Sequence, residues 1–221
     1  MERDPAFAHR LRHRFDRAAN VRVILADART FSLPRKGFAV IASIPYAIST
    51  ALFRRLLGAE RTTLTRAALI VEWGFARRVT TAVPPRLEQA WWAARFDIRL
   101  VSRVPARCFS PPPRVDSAHL VIERRCLDRA TERTLWTLLD AAYRAPGRPA
   151  KTVAAVAGAG RNPHPALRAA GIDPARAART VPPARWAALA RNLRSGRPVL
   201  PRRPPRTPDP WPRPSRFRGH R

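Results

Sequence analysis

The apolar run 38–42, Phe-Ala-Val-Ile-Ala, stops abruptly at Ser43-Ile44-Pro45-Tyr46. Proline fixes φ and has no amide hydrogen to give to a ladder, so the run predicts a short buried strand with a loop and an aromatic ring at its carboxyl end. In open α/β folds, crevices at such ends bind ligands. Other β-rich runs fall at 21–25, 67–71, 96–104 and 115–122. Between them lie helical patterns. Asp4 followed by Pro5 is a helix start, because a carboxylate accepts from open first-turn amides and proline tolerates the first position. Phe7, Leu11 and Phe15 then recur every four residues. Residues 49–57 and 85–94 read as helices, the second with Leu87 and Trp91 on one face. Strands that alternate with helices and then adjoin each other predict an α/β sheet with an antiparallel end.

Past Asp128 the pattern becomes purely helical, with Leu135, Leu138 and Leu139, then Trp186, Leu189 and Leu193, at helical spacing. This predicts a division into a sheet-containing domain at 1–126, a small all-α domain at 127–195 and a tail at 196–221. In the tail, prolines alternate with arginines, a composition that blocks helix and sheet and predicts a disordered basic segment. Lys and Arg number 43 against 15 Asp and Glu, a net charge of +28. About +7 of that belongs to the tail, so the folded body is itself basic. Such a field attracts polyanions, above all nucleic acid, with salt-sensitive affinity. Only Lys36 and Lys151 are lysines; a GC-rich genome explains the choice of Arg but not the scarcity of acids.

The uncharged stretch between Lys36 and Arg54 contains Pro45 and falls short of the roughly 20 apolar residues a membrane span needs. The charged start, without an apolar run after it, argues against a secretory signal and for the cytoplasm. Cys108 and Cys126 supply neither a disulfide framework nor zinc spacing, and are expected to be structural thiols. His9 and His13 share a helix face with no acid or Cys to complete a metal set, so no metal is expected. No Ser sits in a Gly-x-Ser-x-Gly elbow, which argues against a hydrolase.

A tetrapeptide of the form (Asp/Asn/Ser)-x-Pro-(Tyr/Phe) at the end of a strand suits methyl transfer to an amino group. Adenine N6 is a weak nucleophile because its lone pair is delocalised into the ring. One acceptor from the first side chain and one from the loop backbone can hold its hydrogens, while the aromatic ring stacks on an extruded base. Asp27-Ala28 closes the run 21–25, and Phe109-Ser110-Pro111-Pro112-Pro113-Arg114-Val115-Asp116-Ser117 introduces the last strand. Together with Ala67 to Arg78, Ala90-Trp91-Trp92, Lys151-Thr152-Val153 and Gly171-Ile172-Asp173-Pro174, these segments resemble the ribosomal RNA adenine N6-dimethyltransferase family, in its Erm branch of 23S rRNA methyltransferases of macrolide-type resistance. The resemblance runs from Met1 to about Leu193.

The resemblance implies a Rossmann-like methyltransferase sheet, S-adenosylmethionine as cofactor, 23S rRNA as partner and a monomer. Carried over position by position, it makes Glu2 the acid that accepts the ribose hydroxyls of the cofactor, and Asp27, with the Ala28 amide, the contact to its adenine. Ser43 and Pro45 would orient the target amine beside the cofactor, Tyr46 would stack on the base and Phe109 would help enclose it. Arg77, Arg78, Arg107 and Arg114 would contact phosphates, although singly each is more often a surface charge. Ser43 stands where the Erm branch usually has Asn, and Glu72 where relatives usually have Gln.

A cofactor loop of this class needs glycine after the first strand, since only a residue without a side chain lets the backbone come close. No such loop precedes Glu2, and Gly158-Ala159-Gly160 follows a helical pattern and does not fit the role. The family's first two strands are missing between the run 21–25 and the run 38–42, which predicts a gap in the sheet and unpaired apolar edges. An expectation follows that Met1 is an internal position of a longer frame whose upstream codons carry the loop, and that only the extended protein is active. The alternatives are a small-subunit rRNA dimethylase and a non-catalytic RNA-binding remnant.

Overall fold

A computed structural model describes residues 1–59, 62–158 and 162–193. The tail expected at 196–221 lies outside the described residues, as do Ala159 and Gly160. The first helix, α1 (Pro5–Arg14), starts where Asp4 caps it, the carboxylate accepting from the amides of Ala6 at 2.7 Å and Phe7 at 3.2 Å. After it come β1 (Phe38–Ser43), α2 (Ser49–Phe53) running into a π turn (Arg54–Gly58), and β2 (Leu64–Glu72). Two helices, α3 (Trp73–Val79) and α4 (Leu87–Arg95), lead to β3 (Phe96–Val104) and β4 (Ser117–Arg124). The remaining helices are α5 (Arg129–Arg144), α6 (Ala150–Val156), α7 (His164–Ala169) and α8 (Pro183–Leu193).

The strands form one sheet in the order β1-β2-β4-β3, parallel between β1 and β2 and antiparallel elsewhere. That is the α/β sheet with an antiparallel end. Successive side chains of a strand point to opposite faces. Ala67, Leu69 and Val71 of β2, opposite Ile122, Leu120 and Ala118 of β4, are buried in one core with Phe53, Leu57, Phe75 and Trp92. The edge of the Phe53 ring meets the Phe75 ring at 4.8 Å. Burial of each large side chain stabilises the fold by about 1.5–3 kcal/mol. On the alternate positions ion pairs cross the strands, from Arg66 to Glu123 (3.1 Å) and Arg99 to Glu123 (3.5 Å), and Arg99 also meets Asp97 along β3 (3.2 Å).

Four expectations are corrected. Residues 21–25 form no strand: only Leu25 bridges Glu2, in parallel, the Glu2 amide donating to the Ile24 carbonyl at 2.9 Å and the Ala26 amide to the Glu2 carbonyl at 2.8 Å. A segment with one paired residue cannot build a ladder, so Val21 and Leu25 stay exposed. The sheet edge is therefore β1, and Ile41 on it is 89% exposed, which is the unpaired apolar edge expected from the gap. The Phe7 and Phe15 stripe of α1 also faces outward, with Ala8 the buried residue instead, and Arg10 lies over the Phe7 ring at 4.3 Å. Helix 49–57 changes to π geometry at Arg54, helix 85–94 begins at Leu87 because Pro84 and Pro85 offer their carbonyls to Tyr143 and Arg179, and β4 begins at Ser117 with Val115 still in the loop. Both cysteines are free and exposed, so neither packs in the core.

In the helical segment, Asp128 caps α5 by accepting from the Thr131 amide at 2.8 Å. Leu135, Leu138, Leu139 and Ala142 form its buried stripe, met by Trp186, Leu189 and Ala190 of α8. Arg95, at the end of α4, is 1% exposed and meets Glu132 of α5 at 3.0 Å, which ties the sheet-bearing segment to these helices.

Candidate active site

The strand β1 ends at Ser43, the Ile44 amide still donating to the Ile70 carbonyl at 2.9 Å, and Pro45 then breaks the ladder. A 3-10 turn (Tyr46–Ile48) follows and holds the Tyr46 ring beside the sheet end. On the other side, the loop between β3 and β4 makes a 3-10 turn (Ala106–Cys108) that ends at Phe109. Ser43, Ile44, Pro45, Tyr46, Phe109, Pro111, Pro113 and Ser117 line one open cavity of about 300 Å³. The four residues expected at the base site, Ser43, Pro45, Tyr46 and Phe109, are thus brought together although Phe109 comes from a loop some sixty residues later in the chain. Ile44, Pro111, Pro113 and Ser117 were not singled out in sequence. Ser117 is the informative one, since its hydroxyl lies 2.7 Å from the Tyr46 hydroxyl. A hydroxyl residue directly after a proline-rich loop and before a strand was the available signal.

The two expected cofactor acids sit at the ends of neighbouring parallel segments, joined by the Glu2–Leu25 bridge. Oε1 of Glu2 accepts from the amides of Arg3 at 2.7 Å and Asp4 at 2.9 Å, and Oε2 has no protein donor among the described residues. Asp27 is more occupied. Its oxygens accept from the Arg29 amide (2.8 Å), Nε (2.9 and 3.0 Å) and Nη2 (2.6 Å). The Arg29 hydrogen bonds, first from its side chain and then from its amide, hold the Asp27 carboxyl at about 2 against an ordinary 3.8. A carboxylate has about four lone-pair sites, and these four contacts, two on each oxygen, engage them, so another donor must displace one of the Arg29 bonds. Arg55 of the π turn donates to the carbonyls of Arg29 and Phe31 and so fastens this turn to the body. Ala28 packs against the core at its start.

The four arginines expected to contact phosphates are exposed and do not form one cluster. Arg77 and Arg78, in the last turn of α3, line a second cavity of about 420 Å³ with Gly74, Thr81 and Pro85. Arg78 is 4.0 Å from Glu72. Arg107 and Arg114 flank the aromatic loop instead, on either side of Phe109. No helix among the described residues is long and apolar enough to cross a membrane.

Strand order and the place of the aromatic cavity define the class, a Rossmann-like fold of the methyltransferase type. The family model for ribosomal RNA adenine dimethylase matches residues 1–141, and the chain belongs to that family. It is 33% identical over 198 residues to the mycinamicin-resistance protein MyrB of Micromonospora griseorubida, covering 88% of this chain and 62% of MyrB. To an rRNA adenine N-6-methyltransferase of Bacillus licheniformis it is 32% identical over 125 residues, 57% of this chain and 44% of that one. The chain therefore spans between about two fifths and three fifths of the length of these two relatives. The crystal structure of the 23S rRNA methyltransferase ErmE superposes with a TM-score of 0.67 and 28% identity over 87% of this chain and 80% of that one. A dimethyladenosine transferase from Plasmodium falciparum shares the fold, with a TM-score of 0.59 and 17% identity over 87% of this chain and 80% of that one.

Proposed function

We propose that this protein takes part in N6-methylation of an adenine in 23S rRNA, with S-adenosylmethionine as donor, and that the modification gives macrolide-type resistance. The observation that carries the reading is the convergence of Ser43, Pro45, Tyr46 and Phe109 on one cavity at the carboxyl end of β1. An adenine turned out of its RNA stacks on Tyr46, and Phe109 closes the opposite side. The Ser43 hydroxyl and a carbonyl of the Pro45 loop accept the amino hydrogens, which draws the nitrogen lone pair out of conjugation with the ring. This needs no strong general base, since the amine loses its proton after the new bond forms.

The donor chemistry fits the residues present. Oε2 of Glu2 suits a pair of ribose hydroxyls, and Asp27 suits one amino hydrogen in place of its shared contact from Arg29 Nε. S-adenosylmethionine, when bound, supplies an electrophilic methyl carbon. Glu2, Asp27 and Ala28 hold the donor in this reading, and Ser43 lies between donor and base. The basic body supplies the long-range attraction for RNA, with Arg77, Arg78, Arg107 and Arg114 as phosphate contacts. The substrate sets the compartment, which is the cytoplasm.

The test is transfer of labelled methyl from S-adenosylmethionine to unmethylated ribosomal RNA, by the 221-residue chain and, where in-frame codons precede it, by the form they extend. The expected result is label at N6 of one adenine in 23S rRNA, with raised macrolide tolerance in cells that express the active form. Label in the small-subunit RNA would overturn the choice of substrate. Salt-dependent RNA binding with no transfer by either form would reduce the protein to an RNA-binding module.

A further inference from the structure

Two adjacent residues at the head of β4 reach both aromatic walls of the cavity. Ser117 is 1% exposed, and its Oγ lies 2.7 Å from the Tyr46 hydroxyl. Buried hydroxyls in folded proteins are hydrogen-bonded, and this contact satisfies Ser117, while the half-buried Tyr46 hydroxyl also reaches the Val115 carbonyl at 3.5 Å. Asp116 works on the other wall. Its Oδ1 accepts from the Ala106 amide at 2.8 Å and its Oδ2 from Arg103 Nε at 2.7 Å, while its carbonyl accepts from the Trp73 amide at 2.9 Å. Ala106 opens the turn that ends at Phe109, and Arg103 lies over the Trp73 ring at 5.1 Å. The hydrogen bond from the Ala106 amide, with Arg103, keeps the Asp116 carboxyl below its ordinary value, so the tie is made by a charged group at neutral pH.

We propose that Asp116 and Ser117 are positioning residues for the nucleobase: Ser117 fixes the tilt of the Tyr46 ring, Asp116 anchors the turn that carries Phe109, and together they set the width of the slot between the two rings. Because the two are bonded neighbours, Asp116 closing the loop and Ser117 opening β4, a displacement of one wall is transmitted to the other. The functional part of this inference rests on the reading that the cavity takes the target adenine. The geometric part is tested without RNA.

The chain has two tyrosines, Tyr46 and Tyr143. Labelled with 3-fluorotyrosine, it gives two fluorine resonances, assigned by Tyr46→Phe and Tyr143→Phe. Tyr143 donates to the Pro84 carbonyl at 2.8 Å and serves as the internal control. Ser117→Ala is expected to shift and broaden the Tyr46 signal and leave that of Tyr143 in place, and Ser117→Thr, which keeps the hydroxyl, to restore it. An unmoved Tyr46 signal, or equal movement of both signals, overturns the positioning role. Asp116→Ala is expected to speed hydrogen exchange at the Ala106 and Phe109 amides, and unchanged rates overturn its half of the proposal. In methyl transfer, Tyr46→Phe and Ser117→Ala are each expected to lose about 3- to 10-fold in kcat/KM, the range of one net hydrogen bond, and the double variant no more than either. Multiplying losses would contradict a shared function. If the unsubstituted protein transfers no methyl group, the proposed activity falls while the fluorine and exchange results still decide the positioning.

Discussion

Glu132→Ala removes the carboxylate that Arg95, 1% exposed, meets at 3.0 Å. Breaking one side of a buried ion pair typically costs about 3–5 kcal/mol. Two features lower the figure here. Nη1 of Arg95 still donates to the Leu57 carbonyl at 2.9 Å and to that of Ala59 at 3.3 Å, and its guanidinium lies 4.8 Å from the centre of the Trp91 ring. Arg124, the second cation on Glu132 at 3.3 Å, is 27% exposed and can turn to water. The lower end, about 3 kcal/mol, is therefore expected. With a urea dependence of about 2 kcal/mol per molar, the unfolding midpoint falls by on the order of 1.5 M, read by tryptophan fluorescence and circular dichroism together. Because the cost is that of parting a buried charge from Glu132, Arg95→Met with Glu132→Leu is expected to recover to within about 1 kcal/mol of the unsubstituted protein. A loss below about 1 kcal/mol in Glu132→Ala, or a double variant as unstable as the single one, would refute the reasoning.

Other perturbations follow from the same coordinates. Arg77 is exposed at the rim of its cavity, so Arg77→Ala is expected to weaken RNA binding uniformly across sequences and to lower the slope of log affinity against log salt by about 1, measured by fluorescence anisotropy over a salt series. An unchanged slope would remove Arg77 from the phosphate contacts. Asp27 has a folded pKa of about 2, below its ordinary 3.8, so its bond to Arg29 contributes stability that is present above the ordinary value and is lost as pH falls through the folded one. Its carboxyl carbon resonance is expected to titrate near 2 and, in Arg29→Ala, to return toward 3.8; no upward movement would contradict the assigned cause.

Much of the fold was legible because its signals are local. The run 96–104 coincides with β3, and the runs 38–42 and 67–71 lie inside β1 and β2, since contiguous apolar and β-branched residues bounded by breakers leave few alternatives. Asp4 announced its helix by side-chain chemistry. The run 21–25 failed for lack of a neighbour: a strand is a property of a pair, and composition names only one member. The spacing of Phe7, Leu11 and Phe15 marked the helix, but an apolar stripe is evidence of a face rather than of what covers it, and Phe7 and Phe15 are exposed. Arg95 reads as a surface charge because its burial depends on Glu132, 37 positions on, together with carbonyls of a distant turn. In the cavity, the Tyr46 loop and the Phe109 loop were each recognisable as punctuation after or before a strand. Their link through Ser117 spans 71 positions and became visible only in three dimensions.

The account stands on the claim that the Tyr46 ring receives the target adenine. Steady-state methyl transfer to a 23S rRNA fragment by Tyr46→Ala, in the form of the protein that is active, tests it most directly. Loss of one base-aromatic stack, worth about 1–3 kcal/mol, predicts a fall in kcat/KM of roughly 5- to 150-fold, with RNA affinity changed less than that because phosphate contacts dominate it. Turnover equal to that of the unsubstituted protein would contradict the claim.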